Sequence, residues 1–87
     1  MPEISVIIPV YNQEEYVGAC MDSLLDQSFE DFEVLAVNDG STDASVSILE
    51  GYEQRDGRVQ LIDQNNSGVS VARNNGLSHA KGEWVCF

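Results

Sequence analysis

The sequence predicts an α/β fold. It reads as a three-layer α/β/α arrangement around a mostly parallel sheet of about four strands. Three observations predict it. Short β-branched apolar runs alternate with segments of helical periodicity, in the order β-α-β-α-β-α-β. The first run, Ile4 to Val10, is apolar on both faces, as a strand covered by helices on both sides is. Turn chemistry such as Asp39-Gly40 and Asn65-Asn66-Ser67-Gly68 separates the elements, and right-handed crossovers then wrap the sheet.

The first strand is Ile4 to Val10, "ISVIIPV", with Pro9 weakening the ladder near its end at Tyr11-Asn12. Val17, Cys20, Met21, Leu24 and Leu25 follow as one apolar stripe. They predict a helix capped by Asn12, carrying Glu14 and Glu15 at its positive end and running to about Gln27. Phe32 to Asn38 is a second strand. Ser41, Thr42 or Asp43 caps a second helix, about Asp43 to Gln54, with Val46, Ile48, Leu49 and Tyr52 facing inward. Val59 to Asp63 is a third strand. The third helix, Val69 to about Ala80, turns Val69, Ala72, Gly76, Leu77 and Ala80 to the sheet, and these small residues imply close approach. Glu83 to Phe87, "EWVCF", is the fourth strand.

Composition bounds the function. Eighty-seven residues make a single domain at most, with a thin core. Fifteen acids against four bases give a net charge of −11, which disfavours nucleic acid and anionic membrane surfaces as partners. The acids read as a solvated surface. No apolar run approaches the roughly 20 residues of a membrane span. The N-terminus, with Glu3 and Pro9 and no basic start, does not read as a signal peptide, so a cytoplasmic protein is expected. Cys20 and Cys86 sit among apolar residues, outside any CxxC pair, and read as reduced core residues.

In parallel sheets ligands bind beyond the C-terminal ends of the strands. That rule selects Pro9–Asn12, Asn38–Ser41, Asp63–Ser67 and whatever should follow Phe87. Asp39 stands at the tip of the second strand, where a carboxylate accepts from a ribose hydroxyl or a ring N–H, and Gly40 allows positive φ or close approach. The alternative is an ordinary Asp-Gly turn. Tyr11 offers a planar face for a base, or finishes the core at its rim. Arg73, with the N–H groups of Gly68, Val69 and Ser70, suits an anion, or makes a surface ion pair. His79 sits near a helix C-terminus, a structural position. No GxGxxG, P-loop or Ser-His-Asp pattern occurs.

At these residues the sequence resembles a known family. "SVIIPVYNQEEYV", "VNDGSTDAS" and "NSGVSVARNNGLSHAKGEWVCF" look like the N-terminal half of a family 2 glycosyltransferase of GT-A fold, in order and spacing, over nearly the whole chain. The resemblance implies a Rossmann-like sheet of strand order 3-2-1-4 and one truncated nucleotide-sugar-binding subdomain over residues 1–87. It implies that Pro9, Val10 and Tyr11 line the nucleobase and ribose, with Glu14 beside them. Asp39, with Gly40 next to it, matches the aspartate that hydrogen-bonds the base, commonly uracil, and Arg73 matches the arginine near the diphosphate.

The implied donor is a UDP-sugar or GDP-sugar, UDP foremost. An acceptor hydroxyl, deprotonated by a carboxylate base, displaces the nucleotide with inversion, in the setting of polysaccharide or cell-surface glycan synthesis. Mg²⁺ or Mn²⁺ would be held by an Asp-x-Asp motif expected beyond Phe87, because a departing diphosphate needs a Lewis acid. Asp63 has no partner acid to replace it. The chain alone is therefore expected to hold no catalytic residue, to bind no metal and to be inactive. The whole enzyme would sit at the cytoplasmic face of the membrane. Glu83 to Phe87, on an open edge, is expected to associate with other copies. A non-catalytic nucleotide-binding or regulatory module is the alternative. A receiver-like domain is set aside, because Pro9-Val10-Tyr11-Asn12 at the first strand's tip lacks an acidic cluster.

Overall fold

The computed structural model describes residues 2–28 and 30–86. Strands and helices alternate: β1 (Ile4–Val10), α1 (Val17–Leu25), β2 (Phe32–Asp39), α2 (Ser45–Arg55), β3 (Val59–Gln64), α3 (Val69–His79) and β4 (Trp84–Cys86). All pairings are parallel and the strand order is β3-β2-β1-β4, the order the resemblance implied. β1 pairs with β2 along its whole length, from Ile4 beside Phe32 to Val10 beside Asn38. β4 pairs only with the first part of β1, ending at Cys86 beside Val6. Pro9 lies past that stretch, where a residue without an N–H costs the sheet least.

Two apolar layers flank the sheet. Val17 and Met21 of α1 and Leu49 and Tyr52 of α2 pack with Val34, Ala36 and Val59. Ala72 of α3 packs with Ile7, Leu35, Val37 and Ile62. Gly76 brings α3 down onto β1: a Cβ there would lie 2.5 Å from Ile7 Cγ2. The close approach inferred from small residues is thus a contact between a helix backbone and one isoleucine.

Polar groups fasten the layers. The Tyr52 hydroxyl lies 2.5 Å from Asp22 Oδ1 and 2.9 Å from the Gly18 carbonyl oxygen, joining α2 to α1. The hydrogen bond to Asp22, aided by burial, raises the pKa of that hydroxyl. Near the start of β1, buried Ser5 donates to Glu33 Oε2 at 2.6 Å and accepts from the Gly82 N–H at 2.8 Å. The Lys81 N–H donates to the same Glu33 oxygen at 2.7 Å. This fixes the approach to β4 against β1 and β2.

Several expectations are corrected. α1 begins at Val17, not after Asn12, because Asn12 takes φ +49 and a turn closes from Tyr16 and Val17 N–H onto the Gln13 carbonyl. Asn12 therefore caps nothing. Cys20 and Cys86 are both exposed, not core residues. The buried face of α1 centres on Val17 and Met21, and all three residues of β4 are exposed. Val69 and Leu77 of the third stripe are exposed too, because Ala72 and Gly76 are the buried positions of α3, with Ala80 just after it packed partly against the same layer. β2 and β3 each run one residue further than expected. Phe87, the last residue of the expected fourth strand, lies outside the described residues. No helix among the described residues is long and apolar enough to cross a membrane.

Candidate functional site

A cleft of about 480 Å³ opens at the C-terminal ends of β1 and β2. Pro9, Val10 and Tyr11 at the end of β1, Asp39 at the end of β2, and Gly68 and Val69 at the start of α3 line it, together with Gln13 and Asn66. Tyr11 is 47% exposed and Val69 51%, so two apolar faces border the opening, while Asp39 is only 6% exposed. β1 stands where the strand order reverses, which is where such sheets hold ligands.

Asp39 is held by the end of β3 and the loop that leads into α3. Its Oδ1 accepts from the Ser67 N–H at 2.7 Å and from Gln64 Nε2 at 2.9 Å. Its Oδ2 accepts from the Gly68 N–H at 3.0 Å, and its carbonyl oxygen accepts from Asn66 Nδ2 at 3.1 Å. The hydrogen bond from Gln64, with those from Ser67 and Gly68, outweighs desolvation and holds the carboxyl below the usual carboxylate range. Asp39 is ionised at neutral pH. Its carboxylate accepts three hydrogen bonds, one fewer than its two oxygens can take, and the open position is on Oδ2.

A second set of contacts places Tyr11. Three successive N–H groups just after it are taken by side chains from the start of α2 and the loop before it. Asn12 N–H donates to Ser41 Oγ at 3.0 Å, Gln13 N–H to Ser45 Oγ at 2.9 Å and Glu14 N–H to Asp43 Oδ2 at 3.1 Å. Asn12 Oδ1 returns the contact, accepting from the Thr42 N–H at 2.8 Å. Asp43 Oδ1 also accepts from the Ser45 N–H at 2.9 Å, so it caps the first turn of α2 from just outside the helix. Burial opposes the ionised form of Asp43, but the hydrogen bonds from Ser45 and Glu14 prevail and lower its pKa.

Of the residues predicted for the site, the fold brings Pro9, Val10, Tyr11 and Asp39 together. Glu14 is exposed and meets the site only through its N–H. Gly40 adopts φ +73, as anticipated for this turn, but its close approach is to Asn66: a Cβ at Gly40 would lie 2.8 Å from the Asn66 nitrogen. It lines a separate, more open polar depression with Asn38, Asp63 and Asn65. Arg73 is exposed one turn into α3 and is not part of the cleft lining. The helix end also differs from expectation, because the Gly68 N–H already serves Asp39. Gln13 was not anticipated, Asn66 only as part of the loop selected by strand position, and Val69 only for its N–H at the start of the third helix, not as an apolar lining residue.

The match to known proteins decides the family. The family model described as "Glycosyl transferase family 2" matches residues 5–87. The chain belongs to glycosyltransferase family 2. It is 46% identical over 85 residues to the glycosyltransferase GlyA of Streptococcus pneumoniae, covering 98% of this chain and 12% of that protein. It is 40% identical over 89 residues to the poly(ribitol-phosphate) beta-glucosyltransferase of Bacillus spizizenii, covering 98% of this chain and 14% of that protein. This family 2 chain thus spans only a small part of those relatives' length. Its sheet and helices superpose on the mannosyltransferase PcManGT of Pyrobaculum calidifontis, solved with GDP-Man and Mn²⁺, at TM-score 0.89 and 28% identity, over 97% of this chain and 26% of that one. They superpose on S. aureus TarS 1-349 in complex with UDP at TM-score 0.87 and 38% identity, over 95% and 25%. The fold is that of the GT-A glycosyltransferases.

Among the described residues no three His, Cys, Asp or Glu side chains converge. The one carboxylate of the cleft, Asp39, is already held by three N–H donors. The described residues do not fit a metal ion.

Proposed function

We propose that the cleft holds the nucleoside of a nucleotide-sugar donor, UDP-sugar foremost, in a protein that transfers the sugar to an acceptor hydroxyl during surface-glycan synthesis. One observation carries the reading. The fold gathers in one cleft lining the exposed ring of Tyr11, the exposed side chain of Val69 and an ionised, nearly buried acceptor, Asp39. A flat heterocycle with a polar edge is what such a slot takes. Its ring N–H donates to the remaining lone pair of Asp39 Oδ2, and its faces lie against Tyr11 and Val69. Uracil and guanine both carry a ring N–H beside a carbonyl. TarS in complex with UDP and PcManGT in complex with GDP-Man support the choice.

Arg73 is assigned to the diphosphate, and Glu14 to the outer rim near the ribose. The Mn²⁺ named with PcManGT supports a divalent ion accompanying the donor in the whole protein, while the described residues serve base recognition. Copies associating through the outer edge of β4, beside exposed Trp84 and Val85, complete the reading, and light scattering showing a monomer at high concentration would remove that part.

The test is an NMR titration of the full chain with UDP, GDP and uridine. UDP is expected to shift Tyr11, Asp39 and Val69, and Arg73→Ala to weaken UDP while sparing uridine. No shift with any of the three overturns the assignment of the cleft.

A further inference from the structure

We propose that Gln64 and Asn75 are positioning residues that hold Asp39 as a pure acceptor and so set which nucleobase edge the cleft admits. The inference rests on the reading of the cleft as a nucleoside site.

The hydrogen bonds have only one consistent direction. An ionised carboxylate accepts and never donates. Gln64 must therefore turn its amide nitrogen to Asp39 Oδ1, at 2.9 Å. That leaves Gln64 Oε1 on the other side, where it accepts from Asn75 Nδ2 at 3.0 Å. Asn75 in turn is fixed with its nitrogen toward β3. A single chain of donors runs from α3, through β3, to the tip of β2. Each member polarises the next.

The Ser67 N–H at 2.7 Å fills the other lone pair of Oδ1, and the Gly68 N–H takes one on Oδ2. The carboxylate can then neither rotate nor offer a proton without breaking this chain. What remains toward the cleft is one acceptor position. A base with a ring N–H at that edge, as in uracil or guanine, completes it. Cytosine and adenine carry a bare ring nitrogen there and set a lone pair against a charge. Sites built around a buried polar partner reject ligands that leave it unmet. Gln64 and Asn75 are half-buried and absent from the cleft lining, so they act through Asp39 and not on the ligand.

Two variants of the full chain separate this role from a merely structural one. Asn75→Asp keeps the shape of the side chain but removes the donor to Gln64. Gln64→Met keeps length and removes the donor to Asp39. Dissociation constants for UDP and CDP are read by NMR, together with the side-chain amide resonances of Gln64 in the absence of nucleotide. The wild type is expected to prefer UDP over CDP by about tenfold or more. Both variants are expected to narrow that ratio to about threefold or less, with the loss falling on UDP. Asn75→Asp is expected to move the Gln64 amide pair. If the variants weaken UDP and CDP equally, or if Asn75→Asp leaves the Gln64 resonances in place, the proposal is overturned. If the wild type binds neither nucleotide, the nucleoside reading fails, and with it the specificity role, whereas the Gln64 resonances still report whether the donor chain exists.

Discussion

Gly76→Ala tests how the site is held at depth. The added Cβ would lie 2.5 Å from Ile7 Cγ2, 3.2 Å from Cγ1 and 3.3 Å from Cδ1. Ile7 is fully buried under α3, so its side chain has no open space to retreat into. Overpacking of this kind costs about 1–3 kcal/mol, and three simultaneous contacts argue for the upper half. Alanine recovers up to about 1 kcal/mol of helix propensity over glycine. The net expectation is a loss of about 1–2 kcal/mol in urea unfolding at neutral pH. α3 must also lift, which moves Gly68 off Asp39, so amide exchange at Ser67 and Gly68 should quicken. In an Ile7→Ala background all three clashing atoms are gone, and Gly76→Ala should then stabilise by roughly 0.5–1 kcal/mol. The double-mutant cycle isolates the contact. A Gly76→Ala protein more stable than the wild type would refute the packing argument.

Two further outcomes follow from polar contacts. Asp39 and Asp43 both have folded pKa values below their ordinary value of 3.8. Their contribution is therefore complete above that value and is lost as pH falls through the lowered folded pKa. Stability measured from about pH 5 down to about pH 2 should drop, with exchange at Glu14, Ser67 and Gly68 rising early, and a flat profile would sink the assignment. Ser5→Ala leaves the Gly82 N–H without its acceptor and removes the donor to Glu33. A loss of about 1–2 kcal/mol is expected, with faster exchange at Gly82 and Trp84, and unchanged protection at both would show that the buried hydroxyl does not anchor β4.

The architecture was legible because periodicity reports burial directly. β1, β2 and β3 are apolar runs, and each emerged within one residue of its predicted span. Helix starts were less legible, since a cap is decided by tertiary partners. Asn12 looked like an N-cap, but Ser41, Asp43 and Ser45 from across the fold claimed the loop's N–H groups and pulled Asn12 to positive φ. Cys20 shared a stripe with Met21, yet only one of the two fits beneath α2, and one residue is 100° of helix rotation. For the site, strand tips pointed to Tyr11 and Asp39. Gln64 and Asn75 were invisible, because a donor chain depends on register between β2, β3 and α3 and leaves no local pattern.

The acidity of the chain also takes a different meaning in the structure. Fifteen carboxylates against four bases cannot be balanced by ion pairs, and a solvated surface was the plain expectation. Yet the carboxylates at the junctions bind backbone N–H groups. Asp39 takes Ser67 and Gly68, Asp43 takes Glu14 and Ser45, Glu33 takes Lys81, Glu53 takes Leu61, and Asp56 takes Arg58. Each such bond is charge-assisted and stronger than its neutral counterpart, and each closes a connection between elements. The same chemistry that ties the loops keeps Asp39 ionised. A nucleobase that donates to Asp39 therefore joins an existing set of N–H groups around one carboxylate. The selectivity of the cleft then follows from how completely the fold has filled that carboxylate beforehand.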